Sequence, residues 1–276
     1  MDCFRGVAVE EVLASASSHA PAVTDRNYRV KNKFAKRKDP ETGNHLLGNC
    51  RFSAQAECEH STKTIFIHML EHILAKRIVP VVVLDHADAA EPLAEALLAG
   101  GLDIMEITFR TPAAEESIRR IARKFPQILL GAGTLLEKDQ VQRAKDAGAT
   151  FGLAPGLNPQ IVGFAREIGL QFSPGVMTPS DVEQALALGC RLLKFFPAET
   201  AGGVNMLKAL SGPYGHTGVK FIPTGGISSA NLTSYLKLPV VAAIGGSWMV
   251  DRQLVNEGKW AEITRLTQEA LATAAA

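Results

Sequence analysis

The feature that most constrains this chain is a rhythm. From about residue 70 to the C-terminus, short apolar, often β-branched runs begin about every 20 to 28 residues, with amphipathic stretches between them. The runs are RIVPVVVL (77–84), LDIMEITF (102–109), QILLGAG (127–133), TFGLAP (150–155), LQFSPG (170–175), RLLKFF (191–196), VKFIPT (219–224) and VVAAIGG (240–246). Spacing of that size fits one strand and one helix per unit, because parallel strands need a long crossover between them. In DAAEPLAEALLAGG, Leu93, Leu97 and Leu98 share a helical face and glycines follow; AEESIRRIARKF and EKDQVQRAKDAGA repeat the pattern. Eight such units in about 200 residues predict an α/β fold, a parallel eight-stranded (β/α)8 TIM barrel. A doubly wound open sheet would place its ligand glycines in a G-x-G-x-x-G turn after an early strand. Here GAGTLL (131–136) follows the third strand and lacks the last glycine, whereas PTGGIS (223–228) and IGGSW (244–248) follow strands seven and eight. Barrels frequently bind phosphate after those two strands.

Residues 1–68 have a different character. They are polar, weakly periodic and carry the basic cluster RNYRVKNKFAKRKDP, with Arg26, Arg29, Lys31, Lys33, Lys36, Arg37 and Lys38. The expectation is an N-terminal extension (1–68), disordered or poorly structured, ahead of a barrel domain at 69–276. A nucleic-acid arm or targeting segment is the competing reading, with Asp2, Glu10 and Glu11 against a transit peptide, and Met69 is an alternative start. Cys50, Cys58 and His60, with His45 nearby, match no usual zinc spacing. The four cysteines include no CxxC and read as reduced thiols. Formal net charge is +1 and no stretch approaches a membrane span. The expectations are therefore a cytoplasmic protein with no nucleic-acid partner, no membrane partner and no cofactor. After Met69 only His72, His86 and His216 remain, none in a ligand-spaced pair, so metal catalysis is disfavoured.

Barrel chemistry belongs at the carboxyl ends of the strands. Polar residues that interrupt the strand texts there are few: Glu106, Thr108 and Arg110 from strand two, Thr134 after strand three, and Lys194 in strand six. Lys194 alternates with Leu192 and Phe196, so a regular strand points all three to one face. In a low-dielectric interior the neutral amine is favoured, and a neutral amine attacks ketones to form Schiff bases. A structural lysine, paired with Glu106 or reaching out to water, is the other reading. Glu106 is either that ion-pair partner or the proton carrier Schiff-base chemistry requires. Arg110 is either a bidentate carboxylate clamp or a strand-end arginine bridged to a helix. Gly225, Gly226, Gly245 and Gly246 let backbone N–H groups approach an anion, with Ser228 or Ser247 able to add a hydroxyl.

With these residues assembled, the stretches VPVVVL, MEITFRT, GAGTLL, APGLNP, SPGVMTPSD, LLKFFPAE, PTGGIS and IGGSWMV closely resemble the family of 2-keto-3-deoxy-6-phosphogluconate (KDPG) and 4-hydroxy-2-oxoglutarate aldolases, over about 70–276. The resemblance implies a class I, Schiff-base lyase of the Entner–Doudoroff pathway, cleaving a phosphorylated sugar acid to pyruvate and glyceraldehyde 3-phosphate, and assembled as a homotrimer. It further implies Lys194 as the Schiff-base lysine, Glu106 as acid/base, Arg110 and Thr134 as binders of the pyruvoyl carboxylate, Pro155 and Phe196 as pocket walls, and Gly225, Gly226 and Ser247 as the phosphate site. One departure stands out: some relatives carry a basic residue after strand one, where this chain has Asp85 and His86. Three alternatives stay open: an aldolase of unphosphorylated 4-hydroxy-2-oxo acids, a phosphate-binding barrel isomerase or synthase using Lys194 only as a charge, and a nucleic-acid binder with the barrel as scaffold.

Overall fold

The computed structural model describes residues 66–276. The basic cluster and the Cys50, Cys58, His60 and His45 set lie outside the described residues, as does nearly all of the expected 1–68 extension. Residues 66–76 form a helix, α1, which buries Met69, Leu70 and Ile73, the spacing of a one-sided apolar stripe. Strand and helix then alternate: β1 (Ile78–Val82), α2 (Ala90–Ala99), β2 (Ile104–Thr108), α3 (Ala114–Lys124), β3 (Leu129–Gly133), α4 (Lys138–Asp146), β4 (Phe151–Leu153) and α5 (Pro159–Glu167). The second half continues with β5 (Gln171–Ser173), β6 (Gly175–Val176), α6 (Pro179–Ala187), β7 (Leu192–Phe195), α7 (Gly203–Tyr214), β8 (Lys220–Pro223), α8 (Leu232–Leu236), β9 (Ile244–Gly246), α9 (Arg252–Asn256) and α10 (Trp260–Ala275).

Every strand pair is parallel. One sheet runs β5-β4-β3-β2-β1-β9 and the other β6-β7-β8. They are linked on both sides: only Pro174 separates β5 from β6, and isolated parallel bridges join Phe221 to Val241 and Thr224 to Gly245. The arrangement is a TIM-barrel-like α/β fold. The expected fifth strand is broken because Pro174 has no N–H to give to a ladder; its carbonyl still accepts the Lys194 N–H at 2.9 Å. Each expected run contains a strand, shorter than its text. The last shrinks most, since Val240 and Ala242 make only a local exchange with Phe221 before β9 begins at Ile244.

Parallel strands covered on both faces need apolar residues at nearly every position, which is why β1, IVPVV, is buried throughout. Its residues Ile78 and Val82 share one core with Leu93 and Leu97 of α2, Ile107 of β2 and Ile118 of α3. Each such side chain contributes about 1.5–3 kcal/mol on burial. Helix starts at the carboxyl rim are pinned locally. Asn158 accepts the Gln160 N–H ahead of Pro159, and Thr178 and Asp181 form a capping box ahead of Pro179. Among the described residues no helix is long and apolar enough to cross a membrane.

Candidate active site

Strand parity decides which side chains enter the interior. On β7, Leu193 and Phe195 join the apolar core shared with the helices, while Leu192 and Lys194 do not; on β2, Met105 and Ile107 join it and Ile104 does not. Glu106 and Lys194 thus fall on the opposite, inward face. They meet there. Lys194 Nζ donates to Glu106 Oε1 at 3.0 Å, with side-chain exposures of 6% and 1%. β2 and β7 lie in different sheets, so the contact requires both side chains to reach across the enclosed space. Desolving two charges costs several kcal/mol each, and a well-packed apolar pair would serve stability at least as well. A buried pair in this setting is better explained by chemistry than by stability.

Space for the pair comes from missing atoms. A Cβ on Gly133 would lie 1.9 Å from Glu106 Oε1, so the last glycine of β3 leaves the cavity that the carboxylate fills. Gly175 is the register partner of Lys194, and a Cβ on it would lie 2.1 Å from the Pro155 carbonyl oxygen. The loop after β4 therefore closes against the strand next to the lysine. The Phe196 ring centroid sits 5.8 Å from Nζ, within cation–π range.

Around this pair the rim is polar. Buried Thr108 donates to the Val82 carbonyl at 2.9 Å and accepts from Arg110 Nε at 3.1 Å. Arg110 itself is exposed, and its guanidinium is aimed by a threonine rather than bridged to a helix carboxylate. Thr134 adopts φ 59°, a left-handed conformation that costs a β-branched residue about 1–3 kcal/mol. Its side chain has no hydrogen-bond partner among the described residues, and strain of this kind clusters where a ligand must be met.

After β8, Gly225 and Gly226 take φ 102° and 78°, conformations open to glycine at little cost. The Gly225 N–H adjoins the Thr224–Gly245 bridge, while the Gly226 N–H donates to no backbone carbonyl among the described residues. A Cβ on Gly225 would sit 3.4 Å from the Phe196 ring, which brings this loop beside the lysine strand. Ser247 is exposed and precedes a short turn at Trp248–Val250 without spending its hydroxyl on a cap. Gly245 must lack a side chain because Thr224 Oγ1 would lie 2.1 Å from its Cβ, and this contact brings the loops after β8 and β9 together.

Several participants were missed by sequence reasoning. Asp85 is bound by Arg252 through Nε at 2.8 Å and through Nη2, and by Asn256 Nδ2 at 2.8 Å. Hydrogen bonds from Arg252 and then Asn256 hold its carboxyl down at about 2. The carboxylate after β1 is thus balanced by a cation 167 residues away, a pairing no local signal announces. Gly133 and Gly175 were legible only as strand residues, and Thr108 only as one of the polar residues at the end of strand two, without its part in orienting Arg110. Among the described residues no three His, Cys, Asp or Glu side chains cluster as a metal site.

The model of the KDPG and KHG aldolase family matches residues 70–266. The chain is 44% identical over 203 residues to the 2-dehydro-3-deoxy-phosphogluconate aldolase of Haemophilus influenzae, covering 74% of this chain and 95% of that one. It is 42% identical over 194 residues to the KHG/KDPG aldolase of Escherichia coli K12, covering 70% and 90%. Among solved structures it resembles the KDPG aldolase of Legionella pneumophila, captured at low pH with pyruvate as a covalent carbinolamine intermediate. That match has a TM-score of 0.70 and 40% identity, over 72% of this chain and 96% of that one. The chain belongs to the KDPG and KHG aldolase family.

Proposed function

We propose that the protein is a class I aldolase that reversibly cleaves 2-dehydro-3-deoxy-6-phosphogluconate to pyruvate and glyceraldehyde 3-phosphate. The observation that carries this is the buried 3.0 Å contact between Lys194 and Glu106, in a chain whose relatives bear that enzyme's name. Lys194 Nζ attacks the C2 ketone. Glu106, within hydrogen-bond reach, first takes a proton from the Lys194 ammonium to free the attacking amine and passes it to the ketone oxygen, then relays the second proton the nitrogen loses to the carbinolamine hydroxyl, which leaves as water. The resulting iminium takes up the electron pair of the C3–C4 bond as the C4 hydroxyl gives its proton to Glu106 and the aldehyde departs. Protonation of the enamine at C3 and hydrolysis release pyruvate and regenerate the amine.

Arg110, oriented by Thr108, is suited to the substrate carboxylate as a planar fork, with Thr134 beside it at the end of β3. Pro155 and Phe196 form apolar walls at the lysine. The glycine turn at Gly225 and Gly226, with the uncommitted Gly226 N–H, and the free hydroxyl of Ser247 suit a phosphate. We infer also that the two sheets act as one closed (β/α)8 barrel, an inference supported by the links at Pro174 and Thr224. Residues 69–276 are then the catalytic unit, and a cytoplasmic homotrimer is the assembly the family resemblance implies. A second activity on 4-hydroxy-2-oxoglutarate is supported by the likeness to the relative named KHG/KDPG aldolase.

Borohydride reduction in the presence of pyruvate tests the scheme. The expected result is a mass increase localised to Lys194 and absent from Lys194→Ala, whose turnover falls by about 10⁴-fold or more. An adduct that persisted unchanged in Lys194→Ala would sink it.

A further inference from the structure

We propose that Glu199 is a positioning residue that holds the loop after β8 in its anion-binding shape and ties it to the strand carrying Lys194; this rests on the aldolase reading above. Glu199 lies five residues beyond Lys194, between β7 and α7. Past the strand ends the two loops remain laddered: the Ala198 N–H donates to the Thr224 carbonyl at 2.8 Å and the Glu199 N–H to the Gly225 carbonyl at 3.1 Å. The Glu199 methylenes then fill the space a side chain at 226 would need, since a Cβ on Gly226 would fall 2.7 Å from Glu199 Cγ and 2.8 Å from its Cβ.

The carboxylate is engaged elsewhere. Its Oε1 accepts the hydroxyl of Tyr235, a residue of α8 that is 1% exposed. Burial, and then the Glu199 carboxylate, push that hydroxyl well above the ordinary phenol range, so it remains a donor at working pH. A Cβ on Gly203, at the start of α7, would lie 3.4 Å from Oε1 and 3.1 Å from the Tyr235 hydroxyl, so the amino end of that helix also faces the pair. On the other side, Asn231 donates from Nδ2 to the Gly226 carbonyl at 3.1 Å and accepts the Ser228 N–H at 2.9 Å. Gly226 is therefore held by Glu199 beneath it and by Asn231 on its carbonyl.

This matters because two consecutive glycines with positive φ have many other conformations open to them. An anion bound by their N–H groups must otherwise order the loop each time it arrives, at a cost in affinity. A cleft of about 770 Å³ flanks the clamp, lined by Glu199, Lys208, Asn231 and Tyr235 among others, so Glu199 is not packed on every side and its hydrogen bond to Tyr235 adds to what holds the loop.

The test is the KM-against-kcat split on two substrates, 2-dehydro-3-deoxy-6-phosphogluconate and the unphosphorylated 4-hydroxy-2-oxoglutarate, for the full chain. Tyr235→Phe and Glu199→Ala are expected to raise KM for the phosphorylated substrate about tenfold. Their kcat, and both constants on the unphosphorylated substrate, stay within about twofold of wild type. Glu199→Gln, which keeps the methylenes and an acceptor for Tyr235, restores most of the loss. Equal losses on both substrates, or a lowered Tm with an unchanged KM ratio, overturn the assignment to a merely structural residue. A wild-type enzyme that forms no borohydride adduct with pyruvate removes the aldolase reading itself, and this one with it.

Discussion

Inside the barrel, between β2 and β7, two charged side chains meet at 3.0 Å almost out of reach of water. At the rim, after β8 and β9, the groups we propose for the phosphate are backbone N–H groups of glycine and one hydroxyl, and the side chains of Asp85 and Arg252 are already paired with each other. The interior depends on identity: one amine, one carboxyl, and an absent Cβ at Gly133 that gives the carboxyl its place. The rim depends on conformation, with several weak donors that share the task. Loss of an interior group should therefore be close to all-or-none and indifferent to substrate. Loss of a rim group should be graded and should discriminate between substrates.

The sharpest test of the interior half is Glu106→Gln. The amide keeps the shape and a hydrogen bond to Lys194 but cannot accept a proton in turnover. kcat should fall by about 10² to 10⁴-fold on phosphorylated and unphosphorylated substrates alike. Single-turnover trapping with pyruvate should slow in parallel. A change smaller than about tenfold would mark the carboxyl as a structural counter-ion only.

Gly133→Ala asks whether position, rather than presence, of the carboxyl matters. The new methyl would lie 1.9 Å from Glu106 Oε1, so Glu106 must move or β3 must bend. A misplacement near 1 Å is expected to cost about 10²-fold in kcat, with stability lowered by about 1–3 kcal/mol from overpacking. Chemical denaturation and steady-state kinetics on the same preparation separate the two effects. Wild-type kcat in a correctly folded variant would show that the cavity tolerates a shifted carboxyl and would weaken the contrast between interior and rim.

The contrast also explains what was legible beforehand. Lys194 and Glu106 could be found because each is the one charge in an otherwise apolar or uncharged strand text, LLKFF or IMEIT, near a carboxyl end; alternation put each on one parity, while which parity faced inward had to come from the fold. Strand existence followed from the same regularity. Pro174 broke the fifth strand where the text LQFSPG ran on, because a missing N–H acts on the ladder and not on the hydrophobic pattern. Rim geometry was less legible. Gly225 and Gly226 announced a turn, but that Glu199 lies beneath them, or that Asp85 meets Arg252, depends on how distant loops fall together. Nor does spacing reveal that Thr134 takes a left-handed conformation.

Ser247→Ala gives the smallest expected effect and the most selective. Its hydroxyl serves neither as a cap nor in any other hydrogen bond among the described residues, so its loss removes nothing the folded chain uses and Tm should stay within about 1–2 °C. What remains is a lost donor to a bound phosphate, worth about tenfold in KM for 2-dehydro-3-deoxy-6-phosphogluconate, with kcat nearly unchanged and 4-hydroxy-2-oxoglutarate cleaved as before. The neighbouring cation bears on the outcome. Arg252 follows Ser247 by five residues and has both Nε and Nη2 committed to Asp85, so at most part of its charge is left to support the anion and the hydroxyl has little backing. If Ser247→Ala lowers both substrates equally, the phosphate does not sit at this rim, and the division between an indifferent interior and a discriminating edge fails at the edge.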